Sequence, residues 1–474
     1  MALNHLTADY TIFSQEILLR SNFKTANFGI DIKKRINSSH FQYVRLKDFF
    51  TILSGFAFKS SDFQLDGIPV IRIGDVGNDF DHSNMVYLPE EFEEDYLRFF
   101  LKKDDIIVSL TGDGKLKSDL VLEDDKYLLN QRVGSLRPKF KLNIKFYFYL
   151  INYYQLVKEQ FYWYSNGKTQ LNISPFDFLK IKVPKIDETE QNIIVNKIEP
   201  VEQAISKIKE KILTPQGIID KVFAQHFGFD IENADKKKRE LVYYASLEDL
   251  ANEELKFDIS LKYRYIFLNY IKNPSNIEWI ELGKLVDVKG GKRLPKGQNI
   301  TEEETDYKYI RVDDLSWSGV FDLENIKYIS EENHKAIKNY ITKENDILLT
   351  IVGATVGKCG LVPAELDGEN ITENFARLII KDKENYLPEY VNYCLQSKTS
   401  VYQIDEYKGR GSQGKLALFR IKKIKMPKIG KTQQQEIVDE IKSELDKQEL
   451  LNQQIDSNRA EIDRIINECI NQVK

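Results

Sequence analysis

Short hydrophobic runs recur along the first half of the chain and again along the second. They include residues 70–73, 106–110, 309–312 and 347–352, which are rich in β-branched residues and bounded by Gly, Pro, Asn or Asp. Runs of this length and composition predict β-strands. After residues 186 and 429, apolar positions instead recur every three or four residues, which predicts helices. The order of strands followed by a long helix therefore occurs twice.

The chain carries an internal repeat, because segments of the first half return in the second at a nearly fixed displacement. The aligned pairs are YVRLKDFFTILSG at 43–55 with WIELGKLVDVKGG at 279–291, GIPVIRIGDV at 67–76 with DYKYIRVDDL at 306–315, DDIIVSLTG at 104–112 with NDILLTIVG at 345–353, and IKVPKI at 181–186 with IKMPKI at 424–429. The displacement drifts only from 236 to 243 residues. Such regularity indicates a duplication.

A helix is predicted after each repeat. Residues 187–190 and 432–435 both fit a capping box ahead of a periodic run. Pro200 is expected to kink or interrupt the first helix, and Thr214-Pro215 is expected to open another helix that Gly228 ends. The first run has a heptad seam formed by Ile194, Ile198, Val201, Ile205, Ile208 and Ile212. The second has the seam Ile441, Leu445, Gln448, Asn452, Ile455, Arg459, Ile462, Ile466 and Cys469.

One such stripe alone is typical of a helix that lies on its own domain. Two long helices, each closing a repeat, favour antiparallel pairing with each other, which buries both stripes and lets the polar residues fix the register. Between the repeats, residues 233–240 (NADKKKRE) are interpreted as a charged, solvated linker.

The length of 474 residues indicates two or three separate cores. A net charge of −5 argues against a protein that coats nucleic acid along its whole surface. The charge is uneven, since residues 408–431 contain nine basic residues and no acidic one.

The cysteines and histidines form no disulfide or zinc pattern. Without a leader sequence or an 18-residue apolar stretch, a cytoplasmic protein with no membrane association is expected.

The run TIVGATVGKCGLV at 350–362 lacks the spacing of a phosphate-binding loop. Such a loop has four residues between its first glycine and the Gly-Lys pair, and a hydroxyl residue after the lysine. Here three residues separate Gly353 from Gly357, and Cys359 follows Lys358. A thiol is a poor ligand for Mg²⁺, so this run predicts no nucleotide site.

Nearly the whole chain resembles the DNA-specificity subunit of type I restriction-modification enzymes. The motif SGFAFKSSDF at 54–63, followed by GIPVIRIG, resembles the start of one type of target-recognition domain. KGGKRLPKG at 289–297, followed by YIRVDDL, resembles another type. GATVGK at 353–358 resembles the family's mid-domain turn, which implies a tight turn between buried strands with Lys358 either solvated or on the DNA backbone. Glu190-Gln191 fits the family's domain ending, whereas Gln433 replaces the usual glutamate.

The resemblance implies an α+β fold with two repeated target-recognition domains, each followed by a long helix, the two helices pairing as an antiparallel coiled-coil spacer. The expected divisions are an N-terminal segment and first recognition domain at 1–186, first spacer helices at 187–228, a linker and central segment at 229–275, a second recognition domain at 276–429, and a second spacer helix at 430–474.

The implied function is noncatalytic recognition of a bipartite, asymmetric sequence in double-stranded DNA, because the two starting motifs differ. The implied partners are two modification (methyltransferase) subunits and restriction (motor-nuclease) subunits. No cofactor is expected in this chain, since S-adenosylmethionine, ATP and Mg²⁺ belong to the partner subunits. The paired helices, the N-terminal segment and the central segment around 257–263 are the expected docking surfaces.

Candidates for DNA contact are basic and amide side chains on glycine-rich loops near the basic blocks, because these pair with base edges or phosphates. They form a first cluster of Lys59, Asn166, Lys168 and Gln170, and a second of Lys292, Arg293, Lys296, Arg410, Gln413 and Lys415. For any one of them a solvated surface role is about as frequent as a base contact. The aromatic run at 162–164 is more typical of a core.

Two other classes of protein are less consistent with the sequence. A DNA-modifying or DNA-cleaving enzyme lacks support, because the Asn273-Pro274 pair is not followed by the proline and aromatic residue of an adenine methyltransferase, and 254–256 (ELK) is a chance-level nuclease match. A noncatalytic scaffold with paired helices accounts for the repeat but not for the basic loops. Titration with DNA against salt distinguishes the scaffold from a DNA-binding protein.

The helices are predicted to set the distance between the two recognised half-sites. At 1.5 Å per residue, helices over 188–213 and 432–473 would span about 40 and about 60 Å, against about 34 Å per turn of DNA. Inserting or deleting one turn in the first helix is therefore expected to change the gap in the methylated sequence. An unchanged gap would count against the spacer role.

Overall fold

The computed structural model describes residues 26–39, 41–64, 66–77, 85–112, 116–124, 126–167, 171–239, 277–408 and 414–472. The chain forms two compact units. The first unit comprises Met1–Glu210 with Gln453–Lys474, and the second comprises Lys211–Asn452. Each unit contains one copy of the repeat, and the C-terminal helix contributes to both.

The strands are short, and four of them overlap the predicted hydrophobic runs. Those of the first unit are β1 (Tyr43–Arg45), β2 (Phe50–Ser54), β3 (Ile68–Ile71), β4 (Val86–Leu88), β5 (Ile106–Ser109), β6 (Thr111–Gly112), β7 (Ser118–Leu120), β8 (Leu128–Leu129), β9 (Val133–Pro138), β10 (Leu171–Asn172) and β11 (Lys182–Pro184). Those of the second unit are β12 (Trp279–Glu281), β13 (Val286–Gly290), β14 (Lys308–Ile310), β15 (Lys327–Tyr328), β16 (Ile347–Thr350), β17 (Cys359–Leu361), β18 (Asn370–Ile371), β19 (Phe375–Ile380) and β20 (Lys425–Pro427).

Helices occupy the flanks of each repeat and the segments that follow it. They are α1 (Ala26–Ser38), α2 (Ile144–Tyr153), α3 (Gln155–Tyr164), α4 (Pro175–Phe178), α5 (Glu188–Lys209), α6 (Pro215–Phe227), α7 (Ile231–Arg239), α8 (Leu282–Leu285), α9 (Glu331–Ala336), α10 (Pro388–Gln396), α11 (Lys398–Tyr407), α12 (Leu418–Ile421) and α13 (Lys431–Gln472).

The two repeats share one sheet topology. The first has a four-stranded sheet in the order β2-β9-β5-β7 and a three-stranded sheet in the order β4-β3-β8. The second has β13-β19-β16-β17 and β15-β14-β18, the same orders with equivalent strands. In the second repeat a bridge between Val352 and Lys415 takes the place of the β6–β10 pair. The topology confirms the duplicated α+β fold predicted from the sequence.

A two-stranded antiparallel ladder joins the start of each repeat to its end. Strand β1 pairs with β11, with Tyr43 opposite Pro184. Strand β12 pairs with β20, with Trp279 opposite Pro427. The first and last strands of each repeat therefore lie side by side.

Strand β16 is buried on both faces, which explains its continuous apolar sequence. Ile347 and Leu349 belong to one core cluster, whereas Leu348 belongs to another. Because side chains alternate between the faces of a strand, one strand supplies both cores. The unbroken hydrophobic run in the sequence is the result.

A buried ion pair holds β5 to β9 in the first unit. Arg137 donates from Nε and Nη2 to the Asp105 carboxylate at 2.9 and 2.6 Å, and from Nη2 to the carbonyl of Phe100 at 3.1 Å. Asp105 is fully buried and also accepts the backbone N–H of Lys102 at 2.9 Å. Buried charges need such complete pairing, since removal from water is costly.

The second unit has a similar ion pair, with its aspartate at the equivalent position and its arginine two residues nearer the start of the strand. Arg377 donates to Asp346 and to the carbonyl of Ile341, and Asp346 accepts the backbone N–H of Lys343 at 2.8 Å. Asp346 immediately precedes β16 and Arg377 lies on the neighbouring β19. The ion pair therefore closes the same end of both four-stranded sheets.

Removing one partner of this ion pair should destabilise the second unit strongly. Asp346→Ala would leave Arg377 buried without its carboxylate, so we expect a loss of about 3–5 kcal/mol in the free energy of unfolding, measured by urea denaturation. The control Glu331→Ala, which removes an exposed ion pair with Lys335, should cause no measurable change. Similar losses in the two variants would contradict the structural role of the buried pair.

Helix α5 is continuous at Pro200, where a kink or an interruption was predicted. It runs through the proline, so the interruption is wrong, and the kink stays a prediction. Its start agrees with the prediction, because Asp187 accepts the N–H of Glu190 at 3.0 Å. The helix tolerates the proline because Ile194 and Ile198 on its inner face are fully buried, and packing of this kind stabilises a helix more than residue propensity does.

Helix α6 begins and ends as predicted. The side chain of Thr214 accepts the N–H of Gly217 at 3.1 Å, and Pro215 is the first helical residue. Gly228 ends the helix in the left-handed conformation with φ 70°. Ile212, assigned to the α5 seam, lies between the two helices.

The capping box predicted at 432–435 is wrong, because α13 begins at Lys431 and Thr432 lies inside its first turn. A buried glutamine secures this helix start instead. Gln434 donates to the carbonyls of Asn385 and Ile429 at 2.9 and 3.0 Å and accepts the N–H of Leu387 at 2.9 Å. The side-chain amide thus ties the helix to the domain that precedes it.

Within the second unit, α6 and α13 run antiparallel. The N–H of Leu213 donates to Gln448 at 2.9 Å, and His226 contacts Glu440 at 2.8 Å. From the first contact to the second, the residue number rises from 213 to 226 on the α6 side and falls from 448 to 440 in α13, so the two helices are antiparallel. Gln448 is one of the polar seam residues, and here it satisfies a backbone group.

Within the first unit, the end of α13 contacts α5. Lys197 Nζ lies 3.5 Å from the Cys469 sulfur, and the seam residues Ile455, Ile462 and Ile466 are buried. The apolar part of the predicted stripe is therefore an inner face in this unit.

The segment interpreted as a solvated linker begins with a packed helix. Ala234 of α7 is fully buried. Asp235 accepts a hydrogen bond from the Tyr402 hydroxyl at 2.6 Å and forms an ion pair with Lys398. The linker interpretation is therefore wrong for the start of this segment. Its charged sequence concealed one buried alanine and one partly buried hydrogen bond.

Candidate nucleic-acid interface

In the second unit, four segments meet at the end of the four-stranded sheet opposite the buried ion pair. Backbone hydrogen bonds join Gly291 N–H to the Phe375 carbonyl at 3.0 Å, Ile351 N–H to the Asn374 carbonyl at 2.8 Å, and Leu416 N–H to the Ile351 carbonyl at 2.9 Å. The order across this end is the loop after β13, the segment before β19, the turn after β16, and the segment around Leu416.

The first unit has the same order at its equivalent end. Gly55 N–H donates to the Val133 carbonyl at 3.2 Å, Leu110 N–H to the Arg132 carbonyl at 2.9 Å, and Ile173 N–H to the Leu110 carbonyl at 2.9 Å. The described members of both predicted clusters lie on these segments, although they come from distant parts of the sequence. We call the two sheet ends the first and second loop ends.

At the second loop end, the predicted residues Lys292, Arg293 and Lys296 are exposed on the loop after β13. Arg293 Nε donates to the Glu373 carboxylate at 2.5 Å, so an acidic residue also lies at the second loop end. These side chains border an open groove of about 530 Å³. The groove is lined by Arg293, Leu294, Pro295, Lys296, Gly297, Gln298, Asn299, Ile300, Tyr309, Arg311, Val312, Asp313, Thr372, Glu373 and Asn374.

The predicted residue Lys415 is exposed and bridges to Val352 beside the turn after β16. The structure therefore places it on the same loop end as Lys292, although on the opposite side of Asn374. The predicted residues Arg410 and Gln413 lie outside the described residues.

At the first loop end, the predicted residue Lys59 is exposed on the loop after β2. Asn166 is also exposed, and its backbone exchanges two hydrogen bonds of 2.7 Å with Asn172. Both residues lie on segments that reach this end. Lys168 and Gln170 lie outside the part of the chain that the structure describes.

The turn after β16 has the glycine geometry that the sequence predicts. Gly353 and Gly357 have φ of 104° and 101°, angles that residues with a Cβ rarely adopt. Lys358 is neither solvated nor placed for a phosphate: it is buried, and its Nζ donates to the Val312 carbonyl at 2.7 Å. Burial lowers the pKa of Lys358, against the opposing effect of two nearby aspartates. Both expectations for Lys358 are thus wrong.

Tyr309 holds the loop after β13, which carries Lys292, Arg293 and Lys296. Its hydroxyl donates to the Lys292 carbonyl at 2.8 Å, and burial raises its pKa to about 12, with Glu373 adding to the effect. The hydroxyl therefore keeps its proton, and its hydrogen bond, at neutral pH. Beside it, Arg311 is held by Asp314 at 2.6 Å.

The structure adds residues that the sequence argument missed. Exposed Arg132 and half-buried Asn374 occupy the same position in the two repeats, directly before β9 and β19. Asn299 and Gln298 line the groove of the second unit. The signal for the first two was available, since the displacement of 242 that aligns Arg132 with Asn374 falls within the range of the repeat.

A close backbone approach fixes the loop ends in both units. A Cβ added to Gly55 would lie 2.1 Å from the Asn130 carbonyl oxygen, and one added to Gly291 would lie 2.0 Å from the Thr372 carbonyl oxygen. Such distances exclude any side chain without a backbone shift. The glycines at these positions therefore allow the loop after β2 or β13 to lie directly against the segment before β9 or β19.

Substitution of Gly55 should disturb the first loop end. Gly55→Ala places a methyl group against the Asn130 carbonyl, so we expect a loss of about 2–4 kcal/mol in the free energy of unfolding, with weakened DNA binding. The control Gly74→Ala, where an added Cβ would meet no atom within 4 Å among the described residues, should change stability by less than about 1 kcal/mol. Equal losses in the free energy of unfolding for the two variants, measured with urea, would show that the close backbone packing at Gly55 is not needed for stability.

Two copies of one α+β domain, each presenting basic loops at the equivalent end, define a class of duplicated recognition proteins. The model of the type I restriction modification DNA specificity domain matches residues 38–214 and again 274–457. The chain therefore belongs to this family, and its function is the recognition of DNA sequence, a noncatalytic role.

Curated relatives agree with the family match. The specificity subunit of the type I restriction enzyme EcoBI from Escherichia coli is 26% identical over 359 residues, covering 73% of this chain and 67% of that protein. The MjaVIII specificity subunit from Methanocaldococcus jannaschii is 28% identical over 207 residues, covering 42% of this chain and 47% of that protein. The second alignment thus spans less than half of the relative.

A solved structure of the S subunit of a type I restriction-modification system from M. genitalium covers 92% of this chain and 98% of its own, with 16% identity and a TM-score of 0.35. Among the described residues, no helix combines the length and apolar character needed to cross a membrane.

Proposed function

We propose that this chain directs adenine methylation, and cleavage where a nuclease partner is present, to a bipartite asymmetric DNA sequence. The observation that supports this proposal is the pair of loop ends, built on matching frameworks but carrying different side chains. The first presents Lys59 and Asn166, and the second presents Lys292, Arg293 and Lys296. Two unlike sets of side chains on one framework would recognise two unlike half-sites.

The helices α5, α6 and α13 form the proposed spacer between the half-sites. The antiparallel contacts of α6 with α13 and the contact of α5 with the end of α13 support this role. α13 has 42 residues, which at 1.5 Å per residue is about 60 Å, close to two turns of duplex. A rigid helix of this length fits the fixed, unrecognised gap of a bipartite target.

The proposed partners are double-stranded DNA, two modification subunits and, for cleavage, restriction subunits, in the cytoplasm. The proposal gives this chain no cofactor and assigns S-adenosylmethionine, ATP and Mg²⁺ to the partners. The negative net charge of −5 is consistent with a subunit whose hold on DNA is completed by other chains. The proposed division is two recognition domains at 1–186 and 276–429, spacer helices at 187–228 and 430–474, and a central segment at 229–275.

The decisive experiment is coexpression with the neighbouring modification subunit, followed by mapping of methylated adenines in the host genome by single-molecule sequencing. The expected result is a two-part asymmetric motif with a fixed gap. A stable complex that binds duplex DNA without sequence preference and methylates no motif would instead favour a scaffold.

Charge removal at the second loop end should weaken DNA binding in a salt-dependent way. The variant Lys292→Ala with Arg293→Ala and Lys296→Ala is expected to lower the slope of log affinity against log salt by about 2–3, because each phosphate contact contributes about 0.9. The measurement is fluorescence anisotropy of the complex on a labelled duplex over a range of salt concentrations.

The matched control removes the same charge from the opposite end of the same sheet. Lys284, Lys343 and Lys381 are exposed there, directly before β13, before β16 and after β19. Their triple alanine variant should leave the salt slope unchanged. Equal slopes in the two triple variants would show that the second loop end does not contact DNA.

A further inference from the structure

We propose that Arg132 and Asn374 contact base edges, one in each half of the target, with Arg132 specifying guanine and Asn374 specifying adenine. This inference rests on the proposed function and names the side chains that would determine its specificity. The two residues occupy one position in the duplicated fold, directly before the second strand of each four-stranded sheet.

Their central position distinguishes them from the lysines around them. Asn374 lies between the basic loop that carries Lys292 and Arg293 and the segment that carries Lys415, because its carbonyl accepts the Ile351 N–H at the middle of the loop end. Residues at the edge of such a surface reach phosphates, whereas central residues face the groove floor, where base edges are exposed. Central placement therefore favours base contact.

Arg132 has the same central place in the first unit. Its carbonyl accepts the Leu110 N–H, and the loop bearing Lys59 and the segment bearing Asn166 and Ile173 lie on either side. The Arg132 side chain is exposed, so it can reach a ligand without rearrangement.

The backbone at both positions is held rigidly. Arg132 has φ 70°, a left-handed conformation that is uncommon for a residue with a side chain. Just before it, Asn130 N–H donates to Ile71 at 3.0 Å and Gln131 N–H to Phe56 at 2.9 Å. A residue held in an uncommon conformation by surrounding hydrogen bonds is already positioned for binding, which limits the entropy lost when DNA binds.

The segment before β19 is held in a comparable way. Thr372 N–H donates to the Ile310 carbonyl at 3.2 Å, and the Thr372 hydroxyl accepts the Asn374 N–H at 3.0 Å. The Asn374 side chain is half-buried where it lines the groove. Glu373 is occupied by Arg293 at 2.5 Å, which leaves Asn374 as the amide of this segment at the groove.

The residue types also differ where the framework does not. Asp105 and Asp346 occupy equivalent positions, and in both units the carboxylate accepts the Nε–H of an arginine on the neighbouring strand. Against this matched framework, arginine in one copy is replaced by asparagine in the other. Arginine pairs in a bidentate manner with the O6 and N7 of guanine, and asparagine with the N6 and N7 of adenine.

The test uses the complex with its modification subunits and a panel of duplexes that carry every single-base substitution in the mapped target. Arg132→Lys keeps the charge but loses the bidentate geometry. We expect it to reduce discrimination at one base pair of one half-site by about 10- to 100-fold, with the other half-site unaffected. Asn374→Ala should do the same in the other half-site.

The control variants separate a base contact from a phosphate contact. Lys59→Ala should weaken binding to all duplexes alike, and Lys103→Ala, exposed at the opposite end of the first sheet, should change nothing. If Arg132→Lys retains full discrimination, or if Arg132→Ala weakens all duplexes equally, Arg132 contacts a phosphate and the inference is overturned. Likewise, if Asn374→Ala retains full discrimination or weakens all duplexes equally, the inference is overturned for Asn374.

Failure of this inference is distinguishable from failure of the proposed function. A wild-type complex that methylates no bipartite motif overturns both. A wild-type complex with a bipartite motif that survives unchanged in Arg132→Lys and Asn374→Ala overturns the inference alone. Thermal unfolding of each variant confirms that the comparison is made on folded protein.

Discussion

The buried arginine–aspartate pair is the constraint on which each unit depends. It buries the aspartate carboxylate, satisfies it with an arginine and a backbone N–H, and so joins the two central strands of a sheet at one end. Replacement of the arginine would leave the buried carboxylate without its counter-charge. Both copies keep this pairing, although the arginine lies two residues further along its strand in the first copy. Because this end is fixed, the opposite ends of the strands have the same arrangement in both copies, although the loops there differ in sequence.

The structure thus divides each sheet into a constant end and a variable end. The glycines that pack against the neighbouring carbonyls, Gly55 and Gly291, lie at the boundary between the two. Beyond that boundary the first copy has exposed Arg132 and the second has a groove with Asn374 and the pair Arg293–Glu373. A fold of this kind tolerates different loops with little change in stability, because the loop residues and the residues that hold the core are different.

The sequence predicted the repeat, the strands and the family, since backbone framework and hydrophobic spacing are local properties. The expected interruption at Pro200 and the capping box at the start of α13 were wrong, because tertiary packing of Ile194 and the hydrogen bonds of Gln434 decide those points. Lys358 could not be predicted, since a buried lysine that donates to a carbonyl has the same sequence as a solvated one.

The candidate DNA contacts remain predictions based on clusters of basic residues. Arg132 and Asn374 were missed because neither stands in a basic cluster, although the displacement of the repeat aligns them and the sheet topology agrees. The structure places the six described candidates on the two loop ends. It leaves Lys168, Gln170, Arg410 and Gln413 outside the described residues.

The ladders that join the first and last strands of each repeat, β1 with β11 and β12 with β20, have a consequence for inheritance. Because each repeat starts and ends in neighbouring strands, a foreign copy of the domain can replace it through two junctions that lie side by side. Recombination between genes could then exchange one half of the protein as an intact cassette. A lineage would acquire a new DNA specificity in a single genetic event.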